Sequence, residues 1–323
     1  MKQKNVILTI LVALVAAVIT LSCGGRTQAP QTDEEVAADG QLQVTSYKRA
    51  DSTKYAHIGL EIELPQGSDA VSTAIRQKLL QVIDERLSHV TSFEEERFFP
   101  PFQGNSEDLD AMIDYYYDQS KAIVFNQSQA DADERAKYIT ESTEMTEEEK
   151  AERLAEIPSW EYDFSLTKIG ESADYVVFLS QDVFYMGGAH GGINGDGSLT
   201  FSKADGSFVD RMIEPSSVAD IQPLLVEGLL SYFSTDDVKL TKEQLMEQLD
   251  IEGGQIPLPA YQPYPTEEGL VFVYQQYEIA SYAAGMPSFV LPYAQAEPFL
   301  TAQGKAVCRQ YLENSTESGK AEK

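Results

Sequence analysis

The chain has 323 residues, with 52 Asp and Glu against 24 Lys and Arg and a formal net charge of −28. That length suffices for one large or two modest domains, and such acidity excludes a nucleic-acid role because the phosphate backbone would be repelled. Dispersed negative charge serves solubility first and attraction of a cationic partner second.

The N-terminus carries Lys2 and Lys4, an apolar run from Val6 to Thr20, and then Leu21-Ser22-Cys23-Gly24-Gly25. A short basic region, an apolar core and small residues around a cysteine make a secretion signal. The spacing resembles a lipobox, which implies removal of residues 1–22, lipidation of Cys23 and a membrane-anchored lipoprotein, periplasmic or at the cell surface. Thr20 stands where such motifs usually carry Leu. The competing reading is a retained membrane helix over Val6–Ser22, at the short limit of the roughly 17–25 residues that a span needs. Lys2 and Lys4 favour a cytoplasmic N-terminus, so both readings export the bulk of the chain. With Cys23 lipidated, Cys308 is the only other cysteine, and no intrachain disulfide can form. Cys308, beside Val307 in a helical pattern, reads as a buried small apolar residue rather than a reactive thiol.

Residues 23–40 are polar and read as a flexible tether. Gln41–Tyr47 alternates, and Tyr55–Leu64 places Ile58, Leu60, Ile62 and Leu64 on one face of a strand. From Ser68 the period changes: Val71, Ile75, Leu79, Val82, Ile83 and Leu87 predict an amphipathic helix capped by Ser68-Asp69. After Pro100-Pro101, Ser106-Glu107-Asp108 signals a second helix with the apolar stripe Leu109, Met112, Ile113, Tyr116 and Tyr117. Asp131–Glu156, rich in Glu and Lys, reads as a solvated helical segment.

Beyond Pro158 the texture turns to strands. They are expected at Trp160–Ile169, Tyr175–Tyr185 and Ser198–Val209, with a hairpin signal at Asp205-Gly206. Helices follow at Ser217–Phe233, disturbed by Pro223 and Gly228, and at Thr241–Leu249. An extended Pro-rich crossing over Ile256–Pro265 leads to strands at Leu270–Tyr277 and Ser288–Leu291. A last short helix is expected at Glu297–Ala306, with a disordered tail over 313–323. Strands and helices in uneven groups predict an α+β fold, antiparallel-rich sheets with flanking helices, as two abutting domains or lobes over 41–157 and 158–312.

Catalytic signatures are absent: the chain contains no His-Glu-x-x-His, Gly-x-Ser-x-Gly, phosphate-binding Gly-x-x-x-x-Gly-Lys-Ser/Thr or Cys-x-x-Cys. The three histidines, His57, His89 and His190, are far apart in sequence, and no spacing singles out a carboxylate pair. The reading is a non-enzyme with no cofactor and no metal. The most informative segment runs from Phe184 to Gly197 (FYMGGAHGGINGDG), whose glycines between two strands imply positive φ or close backbone approach. His190 within it has three readings: a structural histidine, a ligand contact, and, with no nucleophile or orienting acid in evidence, a catalytic base. Asn194 and Asp196 supply oxygens beside glycines, but the twelve-residue carboxylate pattern of a calcium loop is missing.

The segment Tyr185-Met186-Gly187-Gly188-Ala189-His190, the later Tyr277-Glu278-Ile279-Ala280-Ser281-Tyr282-Ala283-Ala284-Gly285 and the closing Val290-Leu291-Pro292-Tyr293 resemble, in order and spacing, the RsiV-like extracytoplasmic domain. That domain is shared by the anti-sigma factor RsiV and the non-catalytic region of the peptidoglycan deacetylase PdaC. Residues 42–156 resemble the companion domain that precedes it in PdaC. The resemblance implies an α+β binding or sensing module of the cell envelope, with lysozyme or peptidoglycan as its ligand. Only five residues precede the apolar run, so no sigma factor is expected as a partner, and no room is left for a deacetylase domain. The ligand-contact candidates are Tyr185, Gly187, Gly188, His190, Gly191, Tyr277 and Tyr282, with ordinary packing as the competing reading for the tyrosines. Two other readings stay open: a cell-wall glycan hydrolase with unmarked carboxylates, and a purely structural surface protein.

Overall fold

The structure, a computed structural model, describes residues 40–91, 97–188 and 193–313, apart from the side chains of 193, 194 and 196. The signal segment, Cys23, the tether up to residue 39, the tail from 314, and Ala189–Gly192 with His190 and Gly191 lie outside the described residues.

Strands β1 (Val44–Ser52) and β2 (Ala56–Pro65) form an antiparallel hairpin whose register runs from Val44 opposite Pro65 to Ser52 opposite His57. Three helices follow: α1 (Ala70–Leu87), α2 (Leu109–Glu141) and α3 (Glu147–Ala155). The first is capped by Asp69, which accepts from the Ser72 N–H at 2.9 Å, and the second by Asp108, which accepts from Ala111 at 3.0 Å. The chain then returns as β3 (Trp160–Glu171), parallel to β2, and continues antiparallel as β4 (Tyr175–Tyr185) and β5 (Ile193–Ser202). One five-stranded sheet results, in the order β1-β2-β3-β4-β5. A parallel pair needs a long crossover, and here the helices supply it. The boundary expected at 157/158 thus falls between neighbouring members of one sheet.

Alternation along the strands sets the first core. Ile58, Leu60, Ile62 and Leu64 of β2, with Tyr162, Phe164 and Leu166 of β3, meet Ile75, Leu79, Ile83 and Leu87 of α1 and Ile113, Tyr116 and Val124 of α2. Strand β4 is covered on both faces: Val176 and Phe178 belong to this core, whereas Tyr175 and Val177 belong to a second one. Burial on both faces explains why Tyr175–Leu179 reads as a continuous apolar run rather than an alternation.

The second core gathers α4 (Val218–Phe233), α5 (Lys242–Gln248), a three-stranded antiparallel sheet of β6 (Tyr264–Pro265), β7 (Leu270–Val273) and β8 (Ser288–Leu291), and the short helices α6 (Tyr293–Ala296) and α7 (Ala302–Val307). Helix α4 runs uninterrupted through Pro223, which lies near its start, and Gly228 leaves the space that the Phe289 ring occupies. Phe289 stacks on Phe272 at 5.0 Å.

Two local expectations are corrected. The solvated segment over 131–156 is two pieces, the last turns of a 33-residue α2 and the separate α3. A capping box divides them: Thr146 accepts from the Glu149 N–H, and the Glu149 carboxylate accepts from the Thr146 N–H. Strand β5 begins inside the glycine-rich segment and ends at Ser202, so the Asp205-Gly206 turn carries on its far arm only the single bridge of Phe201 with Phe208. Among the described residues no helix is long and apolar enough to cross a membrane.

Candidate functional site

A cavity of about 730 Å³ forms an open groove between the end of α2, the end of α3 and Pro158. Its geometry rests on the single tryptophan. Trp160 opens β3, packs edge-on against Phe184 at 5.7 Å, and donates from Nε1 to Asp131 Oδ2 at 3.0 Å. The same carboxylate accepts Arg135 Nε from one turn later on α2, at 2.9 and 3.0 Å. Asp131 therefore ties helix to strand, with its charge already compensated. Arg153 and Glu156 of the α3 end face the groove with Glu134, Arg135 and Tyr138 of α2. Tyr138 is 73% exposed, a large ring presented to solvent beside two guanidinium groups and several carboxylates. Such a surface can bind a ligand carrying both signs of charge and an apolar face.

Gly187, the first glycine of the predicted turn, lies against Pro158 of this groove. Gly187 has φ +68° and packs on Pro158, so that a Cβ there would lie 2.5 Å from the Pro158 Cγ. Tyr185, at the end of β4, donates its hydroxyl to the Gly188 carbonyl at 3.3 Å. The structure thus brings Tyr185, Gly187 and Gly188 together; His190 and Gly191 lie outside the described residues.

Tyr277 and Tyr282 form a pair of their own after β7, with ring centroids 5.8 Å apart. Tyr277 is 62% exposed and holds φ at +65°, a conformation that costs a non-glycine residue free energy and persists only where neighbours impose it. The adjacent Glu278 accepts from the N–H groups of Gln275 and Ala260, both at 2.7 Å. Burial pushes the Glu278 carboxyl above the usual carboxylate range despite those two donors. The C-terminal end of the motif is fixed by Gly285, at φ +69°, and by the Tyr232 hydroxyl on the Ala284 carbonyl at 2.8 Å.

A further cluster lies on the open face of the sheet. Ser52 Oγ is 2.9 Å from His57 Nδ1, and His57 Nε2 is 3.6 Å from Asp163 Oδ1. The second separation exceeds a hydrogen bond, and His57 and Asp163 are each 42% exposed. The Ser52 hydroxyl is thus the hydrogen-bond partner of the imidazole, and Asp163 stands beyond hydrogen-bond reach of it. Among the described residues, no three of His, Cys, Asp and Glu come together as metal ligands.

Sequence reading missed the groove because Asp131, Arg135, Arg153 and Glu156 belong to a segment that looks uniformly solvated. The available signals were the lone tryptophan opening β3 and the Thr146-x-x-Glu149 box, which together fold α3 back beside α2.

No curated protein matches the chain. Solved structures do: a member of the DUF3298 family from Bacteroides fragilis NCTC 9343 is 16% identical with a TM-score of 0.57, the alignment covering 83% of this chain and 96% of that one. A DUF3298 family protein from Pseudomonas aeruginosa PAO1 is 11% identical with a TM-score of 0.50, over 82% of this chain and 97% of that one. These likenesses show a shared fold. In sequence, residues 224–294, from α4 to α6 and including Tyr277 and Tyr282, match the family model described as "Protein of unknown function (DUF3298)".

Proposed function

We propose that the chain is a non-enzymatic binding module of the bacterial cell envelope, held at a membrane by a lipid on Cys23, and that the groove beside Pro158 receives a peptidoglycan fragment. The groove carries this reading. Arg135, Arg153, Glu134 and Glu156 line it together with an exposed Tyr138 ring, and a stem peptide on a glycan presents carboxylates, an amine and the flat apolar face of a sugar. The RsiV-like motifs support the same assignment.

The test is calorimetric titration of a chain starting at Gly24 with soluble muropeptides. Saturable binding that the double variant R135A/R153A weakens by tenfold or more is the expected result; no binding to any fragment would sink the reading. Mass spectra of the recovered fragments check the absence of turnover, and cleaved product would favour a glycan hydrolase instead.

The net charge of −28 favours a second reading, a cationic protein such as lysozyme as the partner. Lysozyme binding that weakens steeply between low and moderate salt, and that R135A/R153A does not change, would put the charged surface in place of the groove.

A further inference from the structure

We infer a second binding site, in the cleft between α1 and the β4–β5 edge, for a small neutral polyhydroxylated molecule of one or two sugar rings. It rests on residues other than those of the groove and stands or falls independently of it.

Gly197 of β5 lines the cleft, and Gly195 precedes it by two residues on the same strand. Side chains on a strand alternate, so positions 195 and 197 of β5 point to one face, the face turned toward α1. A Cβ at Gly195 would lie 2.9 Å from Asp182 Oδ1, and one at Gly197 would lie 3.1 Å from the Tyr261 ring. With both side chains missing, the Pro-rich crossing that precedes β6 brings Tyr261 around the strand edge to meet Arg86 of α1. A cavity of about 330 Å³ is left between them, within the size range of small-molecule sites, roughly 300–1,000 Å³. The crossing is fastened: Ser198 Oγ donates to the Gln262 carbonyl at 2.6 Å, and the Met212 N–H donates to Gln262 Oε1 at 2.9 Å.

One wall is polar and unfinished. Ser180 of β4 is 2% exposed and lines the cavity, and its hydroxyl has no hydrogen-bond partner. Ser120 and Ser128, buried to the same degree, donate to the Leu87 and Phe125 carbonyls. A buried hydroxyl without a partner is destabilising, and its position on the cavity wall leaves it available to a ligand hydroxyl.

The charges around it argue for a neutral occupant. Arg86 is already paired, with Nη1 3.2 Å from Asp182 Oδ1 and Nη2 donating to the Tyr261 hydroxyl. Glu85 and Asp210 on the rim would repel an anion, and Lys78 would repel a cation. Phe208 and Tyr261 supply apolar ring surface, which suits the C–H face of a sugar while its hydroxyls reach Ser180 and the rim.

The experiment titrates the full chain with glucose, N-acetylglucosamine, diacetylchitobiose and glucose 6-phosphate. Saturable binding of at least one neutral sugar is expected, with glucose 6-phosphate weaker than glucose. Ser180→Ala should weaken binding about three- to tenfold, the worth of one hydrogen bond, while leaving the Tm unchanged or higher because an unpaired buried group is removed. Gly197→Val should abolish binding by filling the cleft, and R135A/R153A should leave it unchanged. No saturable binding of any neutral sugar would overturn the assignment. So would tighter binding of the phosphate, loss of sugar binding in R135A/R153A, or a Ser180→Ala variant that loses Tm with affinity intact.

Discussion

Arg97 grips Asp84 with two parallel hydrogen bonds, Nη1 to Oδ2 at 2.8 Å and Nη2 to Oδ1 at 2.7 Å, and so fastens the segment before Pro100 to α1. Tyr116 of α2 donates to the same Oδ1 at 2.7 Å, so one carboxylate joins three pieces of chain. The Arg97 hydrogen bonds outweigh burial and, with the Tyr116 bond, hold the Asp84 carboxyl below its ordinary value. A carboxyl depressed in the folded state contributes stability that is present above its unfolded value of about 3.9 and is lost as pH falls through the folded value. Asp84→Asn should therefore lower stability by about 1–3 kcal/mol at neutral pH, the side chain being about one-fifth exposed. It should also flatten the loss of stability below pH 4. Urea titrations at pH 7 and pH 3 check both, and equal destabilisation at the two pH values would refute the linkage.

Gly187→Ala tests the contact behind the groove. The substitution forces a side chain into positive φ and against the Pro158 ring, at an expected cost of about 1–3 kcal/mol. Because Pro158 lines the groove, muropeptide affinity should fall with stability. Gly188→Ala is the control, since a Cβ at Gly188 meets open space; it should leave both nearly unchanged in thermal melts and titrations.

These positions show what periodicity conveys and what it does not. Helix α1 and its Asp69 cap were readable because a buried stripe and a local cap are both written within a few residues. The same holds for β2, β4 and β8. The parallel pairing of β2 with β3 was not readable, since register across an intervening crossover depends on packing that no local pattern encodes. Within the glycine-rich segment, Gly195 and Gly197 looked like part of a turn, whereas they belong to β5. Their spacing of two, on a strand, is the mark of a cleared face rather than a bend. Arg86, Asp182 and Tyr261 come from three distant stretches and meet only in the fold.

The anchor proposal rests on Cys23 and is checked directly. Cells fed a radiolabelled or clickable fatty acid should label the wild-type chain and not Cys23→Ala, and the variant should leave the membrane fraction. Labelling that survives the substitution would remove the lipid anchor, while a variant that stays in the membrane unlabelled would favour a retained helix over Val6–Ser22.

Cys308 gives a probe of the second core. Its side chain is fully buried at the end of α7, near the face-to-face pair of Tyr293 and Tyr311, whose centroids are 4.7 Å apart. Burial pushes the thiol up to about 12, with the negative charge of Asp174 adding to the effect. At pH 8 the thiol is therefore overwhelmingly protonated, and the thiolate is the reactive form. In a chain starting at Gly24, Cys308 is the only thiol, so Ellman's reagent should react with the folded protein only as fast as the core opens, and at once in denaturant. Cys308→Ser should destabilise by about 1–3 kcal/mol by placing a hydroxyl in apolar surroundings, and Cys308→Ala by less. Rapid labelling of the native protein, with its thermal melt unchanged, would show that the α7 end of the second core is open to solvent.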